Sequence, residues 1–206
     1  MTPGIGESWQ RITGWLATHA PATHRDVNPP AAAADLTALT GHGDLDLPPG
    51  LRRWWSLADG IRDRAGASNS LLGFYRPLSV RESLEMRRWF VGEQAKVVVQ
   101  PDPECEVAGA FAGPYSHAFV PVGGDGCGNN LFVDLRPGVR RGCLMQWLKG
   151  EAVLQEPLWD SVADMLAAVA DALAHPETGL RRTGYRLVPE VTPHGHLDWE
   201  IRQLPA

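Results

Sequence analysis

The sequence predicts an α+β fold with a largely antiparallel sheet, on three observations. Helical patterns crowd the first part of the chain, strand patterns follow one another from His117 to Leu148, and an amphipathic helix comes after them. The regular strand–helix alternation of a doubly wound fold is missing.

The elements follow in order. Trp9, Ile12 and Leu16 form one stripe of a helix from Ser8 to about His19. Prolines at 21, 29 and 30 mark Pro21 to Pro30 as a linker. Ala32, Leu36 and Leu39 stand at i, i+4 and i+7 in a short helix from Ala31 to Thr40, which Gly41 ends. Pro48 and Pro49 suit a first helical turn, whose N–H groups are unpaired in any case. Leu51, Trp54, Trp55 and Ala58 continue that helix, and Asp59-Gly60 closes it. Trp54 and Trp55 lie about 100° apart around the helix. Trp54 or Trp55 in the core and its neighbour at the margin is the expectation, with the marginal indole a candidate partner anchor.

Leu71 to Tyr75 reads as a short strand. Ser79-Val80-Arg81-Glu82 then matches a capping box, so a helix is expected from Val80 to about Val91, stopped by Gly92. A strand at Lys96 to Val99 precedes a loop rich in Pro and Glu. Strands at His117 to Val122, Asn130 to Leu135 and Gly142 to Leu148 make the body of the sheet. Leu131, Val133 and Leu135 alternate there with Phe132 and Asp134. Arg136-Pro137-Gly138 supplies the residues of a type II turn. Val162, Met165, Leu166, Val169 and Leu173 stripe the last helix, from Ser161 to Ala174, with Ser161 and Asp164 as its cap. Beyond it, Glu177 to Ala206 is expected to add an edge strand near Tyr185 to Val188 or to cover the surface.

At 206 residues the chain fits one domain, with or without appendages. A chain of this size buries roughly 70% of its unfolded surface and needs no disulfide or metal to fold. The net charge of −5 comes with no basic stripe, which disfavours nucleic acid and suits a basic protein partner. Cys105, Cys127 and Cys143 lack C-x-x-C spacing and read as reduced thiols. No signal-peptide pattern and no membrane-length apolar run is visible, so a cytoplasmic protein is expected.

The chemistry candidates are few. GGDGCG, Gly123 to Gly128, opens a strand rather than a helix and lacks the Gly-Lys-Ser/Thr ending of a phosphate loop. Its glycines are expected to serve φ > 0 positions in a hairpin connection. Asp125 is expected to bond its own turn, and Asp134 to orient Arg136 or Arg140. Neither has a second carboxylate at acid–base spacing. His194, His196 and Asp198 fall short of a recognisable metal site. Cys127 has no adjacent group to lower its pKa. An unrecognised hydrolase using Asp125, Asp134 or Cys127 is the enzymatic alternative.

Several segments stand in a telling order: the helix with Trp9, Pro29-Pro30-Ala31 with the helix through Leu36, and LPPGLRRWWSLADG from Leu47 to Gly60. PVGGDGCGNNLFVDLRPGVRRGCLMQW and a final amphipathic helix follow. This succession resembles the SUKH superfamily, which groups a fungal cell-wall-synthesis regulator with many bacterial toxin-immunity proteins. Cys127 to Asn130 lengthen the turn relative to shorter forms of the motif. The resemblance runs to about Thr178, so residues 1–178 are expected as the domain and 179–206 as a C-terminal extension.

The resemblance implies a single domain with a twisted central sheet flanked by helices, no catalytic machinery, no cofactor, and action through protein binding. The leading expectation is an immunity protein that occludes a cognate bacterial toxin, one with a basic surface. The alternative is a regulatory or scaffold domain that binds a host protein. Trp55, Asp59, Asp125, Asn129 and Asp134 are the candidate partner contacts. The partner, the oligomeric state and the binding face stay open.

Overall fold

The computed structural model describes residues 3–41, 45–64, 69–94, 106–111, 116–149, 152–153 and 156–204. These residues form six helices and two antiparallel sheets, an α+β arrangement. The strand expected at Lys96 to Val99 lies outside them.

Helix α1 (Ile5–His19) buries Trp9, Ile12 and Leu16, the predicted stripe. It is followed by α2 (Pro21–Asp26), where the sequence had suggested a linker. Pro21 occupies the first helical turn, where its missing N–H costs nothing, so it starts a helix instead of forbidding one. Next come α3 (Ala33–Gly41) and α4 (Pro49–Trp55). Gly60 follows at φ 72°, with its Cα so close to the next segment that a Cβ would lie 2.5 Å from the Leu78 carbonyl carbon.

Leu71 to Tyr75 is a turn, not a strand: Leu72 N–H donates to Tyr75 O, and Gly73 has φ 77°. Pairing begins only at β1 (Arg76–Pro77). Helix α5 (Val80–Gln94) runs past Gly92, which therefore does not stop it. The main sheet continues with β2 (Phe119–Gly124), β3 (Asn130–Asp134), β4 (Leu144–Leu148) and β5 (Ala152–Val153), in the order β1-β2-β3-β4-β5. Register slips between Pro121 and Gly123, a bulge that frees Val122 O to accept from Leu78 N–H.

All five residues of β3 are buried, so the central strand has no solvated face. Leu131 and Val133 join the main core with α1, α4 and α6 (Val162–Ala174). Phe132 turns the other way and stacks on Phe119 at 4.1 Å, in a second cluster with Phe90 of α5, Cys143 and Met145. The sheet thus has α5 over the Phe119–Phe132 face and α1, α4 and α6 in the core on the other. At α6 the cap is as expected: Ser161 Oγ accepts from Asp164 N–H.

The end of the chain carries more structure than an edge strand. β6 (Leu180–Arg182), β7 (Tyr185–Val191) and β8 (Leu197–Gln203) form a three-stranded antiparallel sheet. Leu180, Leu187, Leu197 and Trp199 enter the main core. Polar contacts tie the sheet to α2: Ala22 N–H donates to Gly195 O and Leu197 N–H to Thr23 Oγ1. Beneath them, buried Asp26 accepts from Arg64 Nε at 2.6 Å and from Asn69 Nδ2 at 3.2 Å. Burial raises the Asp26 carboxyl, but these partners outweigh it and leave its pKa below the usual value. No described helix is long and apolar enough to cross a membrane.

Candidate functional site

Several independent capping contacts hold the start of α5. Ser79 Oγ accepts from Glu82 N–H at 3.2 Å, and Glu82 Oε2 accepts from Ser79 N–H at 2.8 Å, the reciprocal bonds of a capping box. Asp59 Oδ1 accepts from Val80 N–H at 2.7 Å. Arg76 Nη2 donates to Glu82 Oε1 at 2.7 Å. Further along, Ser83 Oγ donates to Pro121 O and Arg87 Nη2 to His117 O, both at 2.6 Å, which press the helix onto β2.

Held in this way, α5 walls a groove of about 560 Å³. Met86, Trp89 and Phe90 line it from the helix, with Trp147 from β4 and Lys149 just after that strand. Gly124, Gly126, Gly128, Asn129 and Asn130 form the remaining wall, from the β2–β3 turn. Phe90 meets Trp147 edge-on at 5.6 Å and Trp89 at 4.9 Å. Trp89 is 61% exposed, so a large indole faces water over an apolar floor. Glu85 and Lys149 put charges of opposite sign on the lining.

The turn that makes the third wall is built by two of the sequence candidates. Asp125 Oδ1 accepts from Cys127 N–H at 2.8 Å and from Asn129 N–H at 3.0 Å, while Asn129 Nδ2 donates to Asp125 Oδ2 at 2.6 Å. Asn129 Oδ1 in turn accepts from Lys149 N–H, pinning the turn to β4. Gly126 at φ 76° and Gly128 at φ 106° use the left-handed region, as the hairpin reading required.

Two other candidates cannot meet a partner across this surface. Trp55 is fully buried beside Trp54, and its Nε1–H donates to Leu78 O at 3.3 Å. The expectation of one buried and one marginal indole fails because α4 is covered on both sides. Asp134 is also fully buried, and so is the strand face expected to be polar. Asp134 does orient Arg136, itself 2% exposed, through Nη2–Oδ2 at 2.7 Å and Nε–Oδ1 at 3.1 Å. Its oxygens also accept from Gly109 N–H and Arg136 N–H.

With every oxygen of Asp125 and Asp134 so engaged, neither carboxylate is placed to act as an acid or base. Burial pushes the Cys143 thiol up to about 12, away from nucleophile chemistry. Cys127 is exposed at the turn tip. His196 Nδ1 lies 3.1 Å from Asn69 Oδ1, and among the described residues no three His, Cys, Asp or Glu side chains could hold a metal.

Met86, Trp89, Phe90 and Trp147 were not among the sequence candidates. The signal was present: adjacent aromatics on one helix cannot share a narrow stripe. That argument fails at Trp54-Trp55 and holds at Trp89-Phe90, where Phe90 is 5% exposed.

The cap of α5 carries a pH prediction. Burial raises the Glu82 carboxyl, but hydrogen bonds from Arg76 and Ser79 outweigh it and leave the pKa below the usual 4.5. A carboxyl lowered in the folded state stabilises the fold above its unfolded pKa, and that stability is lost as pH falls through the folded value. The melting-temperature advantage of the native chain over Glu82→Gln is therefore expected in full near neutrality. It should shrink once pH drops below 4.5. A gap independent of pH in circular-dichroism melts would contradict this account of the cap.

No family model matches the chain. It is similar to a "KNR4/SMI1 homolog" of Yarrowia lipolytica, 26% identical over 223 aligned positions that cover 82% of this chain. It is also similar to the "Cell wall biosynthesis/cell cycle regulator smi1" of Schizosaccharomyces pombe, 27% identical over 150 positions and 67% of this chain. The match spans 30% of each of these relatives.

Proposed function

The chain belongs to the SUKH superfamily, with relatives that carry the KNR4/SMI1 name, and on that premise we propose a regulatory or scaffold domain that binds another protein without catalysing a reaction. The observation that carries this reading is the groove between α5 and the β2–β3 turn, with Trp89 exposed over Phe90 and Trp147. Aromatic anchors of this kind hold protein partners, and the groove suits a segment that inserts an apolar side chain. The net charge of −5 favours a partner with basic residues around that anchor. Asp125, Asn129 and Asp59 serve this site as positioning groups, holding the turn and the helix in place.

The sequence expectation ranked toxin neutralisation above regulation. One of the two relatives is named a regulator and the other a homolog of the same SMI1 group, which favours the reverse order. The two readings separate genetically. Deleting a regulator should give a phenotype with no toxin present, whereas loss of an immunity protein harms only cells that carry the toxin.

The binding site is tested by co-purification with the native chain and with Trp89→Glu as baits. A specific protein is expected to be retained by the native chain and reduced at least tenfold on the variant, an anchor-sized effect of about 1.4 kcal/mol or more. The two melting temperatures should agree within a few degrees, because the replaced side chain is exposed. Equal retention on both baits would contradict the groove as the docking site.

A further inference from the structure

A second cavity, remote in sequence from α5, lies between the β6–β7 hairpin and the segment leading out of β5 toward α6. It has a volume of about 570 Å³ and is lined by Gln146, Glu156, Pro157, Leu158, Arg181, Arg182, Thr183 and Tyr185. Arg182 and Tyr185 face each other across the hairpin, whose turn, Thr183-Gly184, has Gly184 at φ 82°. The Arg182 guanidinium sits over the Trp159 ring, with Cζ 4.5 Å from the ring centroid.

The oddity is what Arg182 lacks. Its Nη1 donates to Arg181 O at 2.9 Å, but among the described residues no carboxylate pairs with it. The fully buried Arg136, by contrast, has Asp134 as its partner. Arg182 is half-buried, and shielding a guanidinium from water without a counter-ion lowers its pKa from the usual value. The neighbouring Tyr75 hydroxyl accepts from Gln146 Nε2 at 2.7 Å and supplies no charge. Tyr75 is itself pushed up to about 12 by burial, so it stays neutral at physiological pH. Among the described residues, Glu156 is the single acid on the lining, against two arginines.

We propose that this cavity is an oxyanion site, in which the Arg182 fork, backed by Trp159, takes a carboxylate or phosphate group with Arg181 and Tyr185 as flanking donors. The planar guanidinium offers two parallel N–H donors, the geometry that both anions accept. Its contact with the Trp159 ring restrains the side chain in advance, so little side-chain freedom is lost on binding. The site is independent of the α5 groove, and its failure would leave the proposed function untouched.

The test is isothermal titration of the full chain with inorganic pyrophosphate and, in a separate arm, with a tetraglutamate peptide. The native chain should bind at least one probe saturably at one site per chain, and the arm that binds identifies phosphate or carboxylate as the preferred group. Arg182→Gln should weaken that binding about tenfold or more, the worth of a lost charged hydrogen bond. Arg182→Lys should retain part of it, because charge remains while the fork is lost. Arg202→Gln is the control, since Arg202 already pairs with Glu200 at 2.6 Å, and it should bind as the native chain does. Without anion, Arg182→Gln should melt no lower than the native chain, because it removes an unpaired charge. Lack of saturable binding of both probes, or equal binding by Arg182→Gln and the native chain, would overturn the proposal. Binding weakened equally by Arg182→Gln and Arg202→Gln would mean an adventitious ion only.

Discussion

Asp134→Ala is expected to destabilise the fold by roughly 3–5 kcal/mol, the usual cost of removing one partner of a buried ion pair. Arg136 would stay enclosed at 2% exposure, with its guanidinium 5.0 Å above the Phe119 ring and the Asp134 carboxylate gone. The loss extends beyond the pair. Gly109 N–H and Arg136 N–H both donate to the same carboxylate, so two further buried donors lose their acceptor. Residues 106–111 are held to the sheet through these bonds and through Arg136 Nη2, which donates to Ala110 O. Replacing both partners, Asp134→Leu with Arg136→Met, should recover part of the loss, because no charge is then buried. Urea denaturation measures this as a fall in midpoint at unchanged slope. A native-like midpoint for Asp134→Ala would mean that Asp134 is a surface group after all.

Trp55→Ala should cost a similar amount, roughly 3–5 kcal/mol, by opening a cavity in the main core. The indole is fully buried in the main core and leaves Leu78 O without its donor when removed. The expected result is a large drop in stability, with any loss of partner binding following from unfolding. Trp89→Glu should behave in the opposite way, with stability kept and binding lost. The two tryptophans thus separate core from surface, and the comparison is open to direct measurement by melting and by pull-down.

That contrast shows where the sequence is readable. Local chemistry reads well. The Ser79–Glu82 box, the Ser161 cap, the glycine turn around Asp125 and the stripe of α6 all appear as expected, because each depends on neighbours within a few residues. Burial reads poorly, because it depends on what packs from elsewhere. Trp55 and Asp134 look marginal or polar along the chain, and are enclosed only once distant segments reach them, Leu78 at Trp55 and Gly109 at Asp134.

The three-stranded sheet at the end was hard to foresee for a different reason. Pro189 sits inside β7, and proline argues against a paired strand. Yet β6 pairs only with Tyr185 to Leu187, so at Pro189 that side of the strand is an open edge where an absent N–H deprives no partner. The same holds at α2, where Pro21 marks a helix start and was read as a linker. Of the candidate contacts, Asp125 and Asn129 do belong to the groove's turn, but as its builders. The aromatic groups that give the groove its chemistry come from α5 and β4, two elements far apart in sequence.

The claim that the α5 groove is where this domain meets a protein partner is most directly tested by site-specific photo-crosslinking in the native host. A photoreactive phenylalanine analogue is placed at position 89 and, as a control, at position 201, where Ile201 is 53% exposed on β8. The account predicts a discrete adduct with one protein from position 89 and none from position 201. No adduct at 89, or the same adducts from both positions, would contradict it.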